Sequence, residues 1–184
     1  MLRAKPTFVR VVPRAAMVLS VLHHRWAFPA LYVPGAKLIS ICDEVTLDTD
    51  LAYASYSGGI WADTETAKLG LSCLGVDSVL SLVFTDSTPN IADGASILFT
   101  SAQARNILDY VSDVSETPIY VHCAAGVSRS GAVGLFLCRY FGLSEQEFNK
   151  LNPHIMPNSY VLAVLMQESG LTTARQTSLS DIFV

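Results

Sequence analysis

The chain has 184 residues, 51% of them hydrophobic and 15% charged, with a formal net charge of −4. That suits one domain with a sizeable core, spanning 1–184, and excludes a wholly disordered chain. Eleven Gly and eight Pro exclude collagen-like and low-complexity chains, and no run of eighteen apolar residues free of polar breaks predicts a spanning helix.

In chain order, Phe8–Val12 reads as a strand. The apolar run Ala15–Leu22 follows Pro13 and is too short and wrongly flanked for a secretion signal, so a core helix is expected. Lys37–Cys42 is a second strand, and residues 43–68 read as loops with some helix. Val79–Phe84 is a β-rich run ended by Asp86-Ser87-Thr88-Pro89-Asn90. Ser101 is the expected N-cap of a helix over 102–114, whose apolar face is Ala104, Ile107, Leu108 and Val111. Ile119–His122 is a strand, and Ser130–Phe141 is a buried helix ended by Gly142. Ser144 and Glu147 have capping-box spacing, and Asn158 can cap a last helix ending near Gly170. Strands alternating with helices predict an α/β fold, with a central mostly parallel sheet and helices on both faces.

Charge is uneven. Residues 1–42 hold six Lys/Arg and no acid, whereas 43–116 hold twelve acids against Lys68 and Arg105. A surface that complements the acidic middle accounts for the basic start, and no nucleic-acid partner is expected from an acidic total. Cys42, Cys73, Cys123 and Cys138 form no CxxC pair and no zinc spacing. Reduced thiols and a cytoplasmic location are the expectation. His23-His24 has no second ligand cluster nearby, so no metal and no cofactor are expected. Trp26, Phe28, Tyr32, Tyr53, Tyr56 and Trp61 are expected mainly in core packing.

The chemistry concentrates in His122-Cys123-Ala124-Ala125-Gly126-Val127-Ser128-Arg129-Ser130-Gly131, between a strand and a helix. Small residues and Gly126 let the backbone curl so that successive N–H groups point inward at an anion. The helix N-terminus adds free N–H groups and the positive end of its dipole. Arg129 can fork onto two phosphate oxygens. The same field favours the thiolate of Cys123, an activated nucleophile. A bare Cys-x5-Arg would arise by chance in roughly one such chain in six. The His before it, the Gly within it, the Ser after it and the flanking strand and helix make chance a poor account. The alternative use of Cys123 is as an inert buried thiol.

These residues resemble the cysteine-dependent protein tyrosine phosphatase superfamily, whose pattern His-Cys-x5-Arg-Ser/Thr is matched throughout 122–130. The form Ala-Gly-x-Ser-Arg-Ser is similar to its dual-specificity branch. The likeness spans about 79–168, and Asn152-Pro153-His154-Ile155-Met156-Pro157-Asn158 resembles that branch's closing element, with Asn152 where Arg is common. Residues 1–78 match loosely, with 43–78 a variable insertion.

The resemblance implies that Cys123 attacks phosphorus to form a phosphocysteine. Arg129 and the loop positions Ala124, Ala125, Gly126, Val127 and Ser128 would bind the phosphate. Ser130 would hydrogen-bond the sulfur, and His122 would order the loop. A carboxylic acid on a neighbouring loop must protonate the leaving oxygen. Asp86 stands where the family places one, with Asp93 second on the same loop; the other use of either is in a turn. Cys42 or Cys73 is a candidate disulfide partner for an oxidised Cys123. His154 and Cys138 read as packed residues. The variable loop positions carry no Lys or Arg, which disfavours polyphosphorylated inositol and RNA 5′-triphosphate. A phosphorylated protein or peptide is the expected partner, on phosphotyrosine or on phosphoserine and phosphothreonine. The rival readings are a phosphatase of RNA ends, nucleotides or lipids, and a non-catalytic phosphopeptide-binding module.

Overall fold

The computed structural model describes residues 4–13, 36–42 and 76–171. The strands are β1 (Val9–Pro13), β2 (Ala36–Cys42), β3 (Val76–Val83) and β4 (Ile119–Cys123). The helices are α1 (Ser101–Tyr110), α2 (Arg129–Tyr140), α3 (Glu145–Leu151) and α4 (Ser159–Glu168). The four strands form one parallel sheet in the order β1-β4-β2-β3. The helix expected over 15–22, the loops of 43–68, Cys73, His23-His24 and the aromatic residues Trp26 to Trp61 lie outside the described residues.

Parallel pairing sets paired side chains on one face, two residues apart along each strand. One face of the sheet carries Val9, Val11, Ile39, Ile41, Leu82, Ile119, Val121 and Cys123, all in the main core. Ala132, Val133, Phe136 and Leu137 of α2, Ala104 and Ile107 of α1, and Val161 and Leu165 of α4 pack against it. The other face carries Leu38 and Tyr120, also almost wholly buried, with Phe8 edge-on to the Tyr120 ring. Every residue of β4 is buried, as expected of a central parallel strand. The loop between the central strand and α2 is therefore held at both ends by buried elements.

Two details differ from the sequence expectation. Thr100, not Ser101, caps α1: its hydroxyl accepts from Gln103 N, and the Gln103 side chain accepts from Thr100 N. Adjacent hydroxyls compete for that place, and the reciprocal partner three residues on decides it. The helix also stops at Tyr110, where the backbone leaves helical geometry at Val111.

Among the described strands β1 lies at an edge of the sheet, and Asn152 covers part of it. Its Oδ1 accepts from Val11 N at 2.7 Å, and its Nδ2 donates to Val9 O at 3.3 Å and to Phe148 O at 2.8 Å. The carboxamide stands in for a neighbouring strand, donor to acceptor and acceptor to donor. The position at which the family resemblance expects Arg thus holds a buried clamp between α3 and the sheet. Beside it, Gly134 lets α2 approach β1, because a Cβ there would lie 2.6 Å from Val11 Cγ2.

Candidate active site

Strand β4 ends at Cys123, and α2 begins at Arg129. The five residues between them must turn the chain inside a space set by packed elements. Gly126 makes this feasible: its φ is +71°, and a Cβ there would sit 2.4 Å from Pro13 N and 2.6 Å from Val12 C. Conformation and space both exclude a larger residue. The loop therefore folds against the end of β1, and its N–H groups turn toward the cysteine.

Cys123 is 3% exposed, and its Sγ lies 3.1 Å from Ser130 Oγ. Burial works against a charged sulfur and is the largest single influence on it. Hydrogen bonds from the Ser130 hydroxyl and from the N–H groups of Ser130, Val127 and Gly126 outweigh it, and the thiol pKa falls below its ordinary value. Cys138 shows the opposite case. Within the apolar body of α2, burial pushes its thiol up to about 11.

Arg129 is buried and donates from Nη1 to Phe84 O at 2.8 Å. That carbonyl lies just past β3, so the guanidinium joins the cysteine loop to the start of the segment carrying Asp86. The segment is anchored further back by Gln103 Nε2, which donates to Val83 O at 2.8 Å. His122 is buried in β4, paired with Val12 on one side and Ser40 on the other.

The two candidate acids separate by geometry. Asp86 Oδ1 accepts from Ser128 Oγ at 2.8 Å and from Asn158 Nδ2 at 2.8 Å. It is held against the cysteine loop. Asp93 instead accepts from Ala95 N and from Ser96 Oγ, two and three residues on, which holds its carboxyl below the usual range. That is the turn role. Ser128, which precedes α2, gives that helix no side-chain cap, since its backbone is helical rather than extended, and its hydroxyl donates to Asp86.

The segment after α3 closes the arrangement. Met156 N donates to Val127 O at 3.1 Å, and Asn158 N donates to Ser128 O at 3.2 Å. Asn158 Oδ1 also accepts from Tyr160 N and Val161 N, capping α4. Sequence reading finds the cap but not the bond to Asp86, which spans 72 residues and leaves no periodic signal. The candidate disulfide partner Cys42 points away. It shares a face with Ser40, 3.9 Å from its hydroxyl, whereas Cys123 shares the core face with Ile41. Cys73 lies outside the described residues. Among the described residues no three His, Cys, Asp or Glu side chains gather as metal ligands, and no helix is long and apolar enough to cross a membrane.

Comparison with solved structures matches this arrangement of sheet, loop and helix to the crystal structure of Tk-PTP in the active form. The match has a TM-score of 0.50 and 16% identity, over 94% of this chain and 96% of that one. The chain has the protein tyrosine phosphatase fold. The crystal structure of PTPMT1 in complex with PI(5)P also aligns, with a TM-score of 0.45 and 17% identity over 89% of this chain and 91% of that one. No protein-family profile matches the sequence, and no curated protein is similar enough in sequence to count as a relative.

Proposed function

We propose that this protein hydrolyses phosphate monoesters on proteins or peptides through a phosphocysteine, as a cysteine-dependent phosphatase. The observation that carries the reading is the convergence of four groups. Cys123 Sγ lies against Ser130 Oγ, Arg129 closes the same loop, and Asp86 is bound to Ser128 of that loop.

In the first step the Cys123 thiolate attacks phosphorus, an S–P bond forms, and the P–O bond to the leaving group breaks. Arg129 and the N–H groups of 124–129 hold the three equatorial oxygens, whose charge they meet without rearranging. Asp86 gives its proton to the leaving oxygen. Ser128 and Asn158 both donate to Oδ1, which holds the carboxyl against the cysteine loop. In the second step water attacks phosphorus, with Asp86 now the base, and the S–P bond breaks. Ser130 hydrogen-bonds the departing thiolate.

The site suits a single phosphate. No Lys or Arg stands at 124–128, and Lys5, Lys37, Arg105 and Arg139 are engaged elsewhere, with Gly142 O, Asp113, Glu168 and Glu145. Phosphotyrosine is the favoured substrate, with phosphoserine and phosphothreonine as alternatives. The test is hydrolysis of a small aryl phosphate in EDTA and reductant, wild type against Cys123→Ser. Activity that vanishes in the variant supports the reading; activity that survives it contradicts the thiolate mechanism.

A further inference from the structure

The functional reading leaves open what meets the organic group of the ester. We infer that Met156 does so, as a specificity-determining residue for phosphate esters borne on an aromatic ring; this rests on the phosphatase reading above.

The argument begins with exposure. Met156 is 74% exposed, more than any other large hydrophobic among the described residues. Much of any folded protein's surface is apolar, so a single exposed apolar side chain is unremarkable. Its setting is what matters. The Met156 N–H is bound to the carbonyl of Val127, a member of the phosphate loop, so its backbone runs along the rim of that loop. Neighbours on both sides are fixed. Asn152 is clamped to β1, Ile155 packs 3.2 Å from where a Cβ on Gly131 would lie, and Asn158 is bound to Ser128, Asp86 and the start of α4. The exposed side chain therefore stands on a segment tied to that loop through its backbone and contributes little to the core.

The rest of that rim is small. Ala124 and Ala125 are exposed and end at Cβ, and Val127 is half-buried. None offers a long apolar contact, and none offers a charge. An ester whose phosphate sits in the loop must project its organic group past this rim. Among the described residues the two most exposed large hydrophobics are Ile91, whose N–H is bound to Thr88 O within the Asp86 segment, and Met156, which is the one tied to the phosphate loop. A thioether on an unbranched chain adapts to a flat ring and makes favourable sulfur–aromatic contacts, whereas it gives a serine methylene much less. The expected gain is in substrate binding rather than in bond breaking, because the contact is the same before and in the transition state.

The experiment compares wild type with Met156→Gln and Met156→Ala on three substrates: a phosphotyrosine peptide, the same peptide with phosphoserine, and phenyl phosphate. An exposed position tolerates both changes without loss of folding. The expected result is a fall of about 3- to 10-fold in the ratio of kcat/KM for phosphotyrosine over phosphoserine, carried by KM, with phenyl phosphate falling alongside phosphotyrosine. A loss on the phosphotyrosine peptide alone would place Met156 against the peptide flank and overturn the ring assignment. An unchanged ratio would overturn it too. Failure of the wild type to hydrolyse any of the three would instead remove the functional reading, a result separable from either of these.

Discussion

Asn158 Nδ2 donates to Asp86 Oδ1 at 2.8 Å, while the Oδ1 of the same asparagine caps α4. One side chain thus fixes a helix start and a candidate proton donor. Replacing Asn158 with Ser retains a capping oxygen and removes the donor to Asp86. The expected outcome is a drop of about tenfold in kcat on alkyl phosphates, and a much smaller one on an ester whose leaving group needs no proton. Equal losses on both would mean that Asn158 serves only the fold.

Asp86 and Asp93 make opposite predictions. Asp86→Asn should lower kcat on alkyl phosphates by about 100- to 10,000-fold. Asp93→Asn removes an acceptor for Ser96 and Ala95 in an exposed turn, so activity should stay within about twofold. The reverse pattern in steady-state kinetics would exchange the roles.

The thiol of Cys123 ionises below its ordinary pKa because hydrogen bonds from Ser130, Val127 and Gly126 outweigh burial. Its rate of alkylation by iodoacetate should therefore reach a plateau at a lower pH than a free cysteine shows. Ser130→Ala should move that limb upward. Cys138, with its thiol pushed up to about 11, should stay unmodified at neutral pH. The sign for stability follows. A group with a lowered folded pKa stabilises fully above its unfolded pKa, and that share is lost as pH falls through the folded value. Ser130→Ala should flatten the corresponding rise of Tm with pH.

Asn152→Ala should destabilise the protein by about 1–3 kcal/mol, since it strips partners from the buried edge of β1 and from Phe148 O. Thermal unfolding checks this. Gly126→Ala should be far worse for activity than for expression, because its Cβ would meet Pro13 and Val12 and displace the loop.

The strand end, tight loop and helix start of 122–130 were legible because they follow one another along the chain, as do the nucleophile and cradle proposed for them. The four strands were legible from short β-rich runs, although β3 begins at Val76 rather than at Val79. What escaped reading is what joins distant segments. Ser128 reads as a loop position and also donates its hydroxyl to Asp86, 42 residues away. Asn152 has the look of a loop residue and is a strand mimic for β1, 141 residues away. Neither partner is encoded by periodicity, and only packing brings them together.

The central claim is that phosphate passes through sulfur. Rapid acid quench of the wild-type protein during turnover of an aryl phosphate, followed by peptide mass spectrometry, tests it most directly. The account predicts a phosphorylated peptide containing Cys123, absent in Cys123→Ser. Turnover with no phosphate on Cys123, and the same rate in the variant, would contradict it.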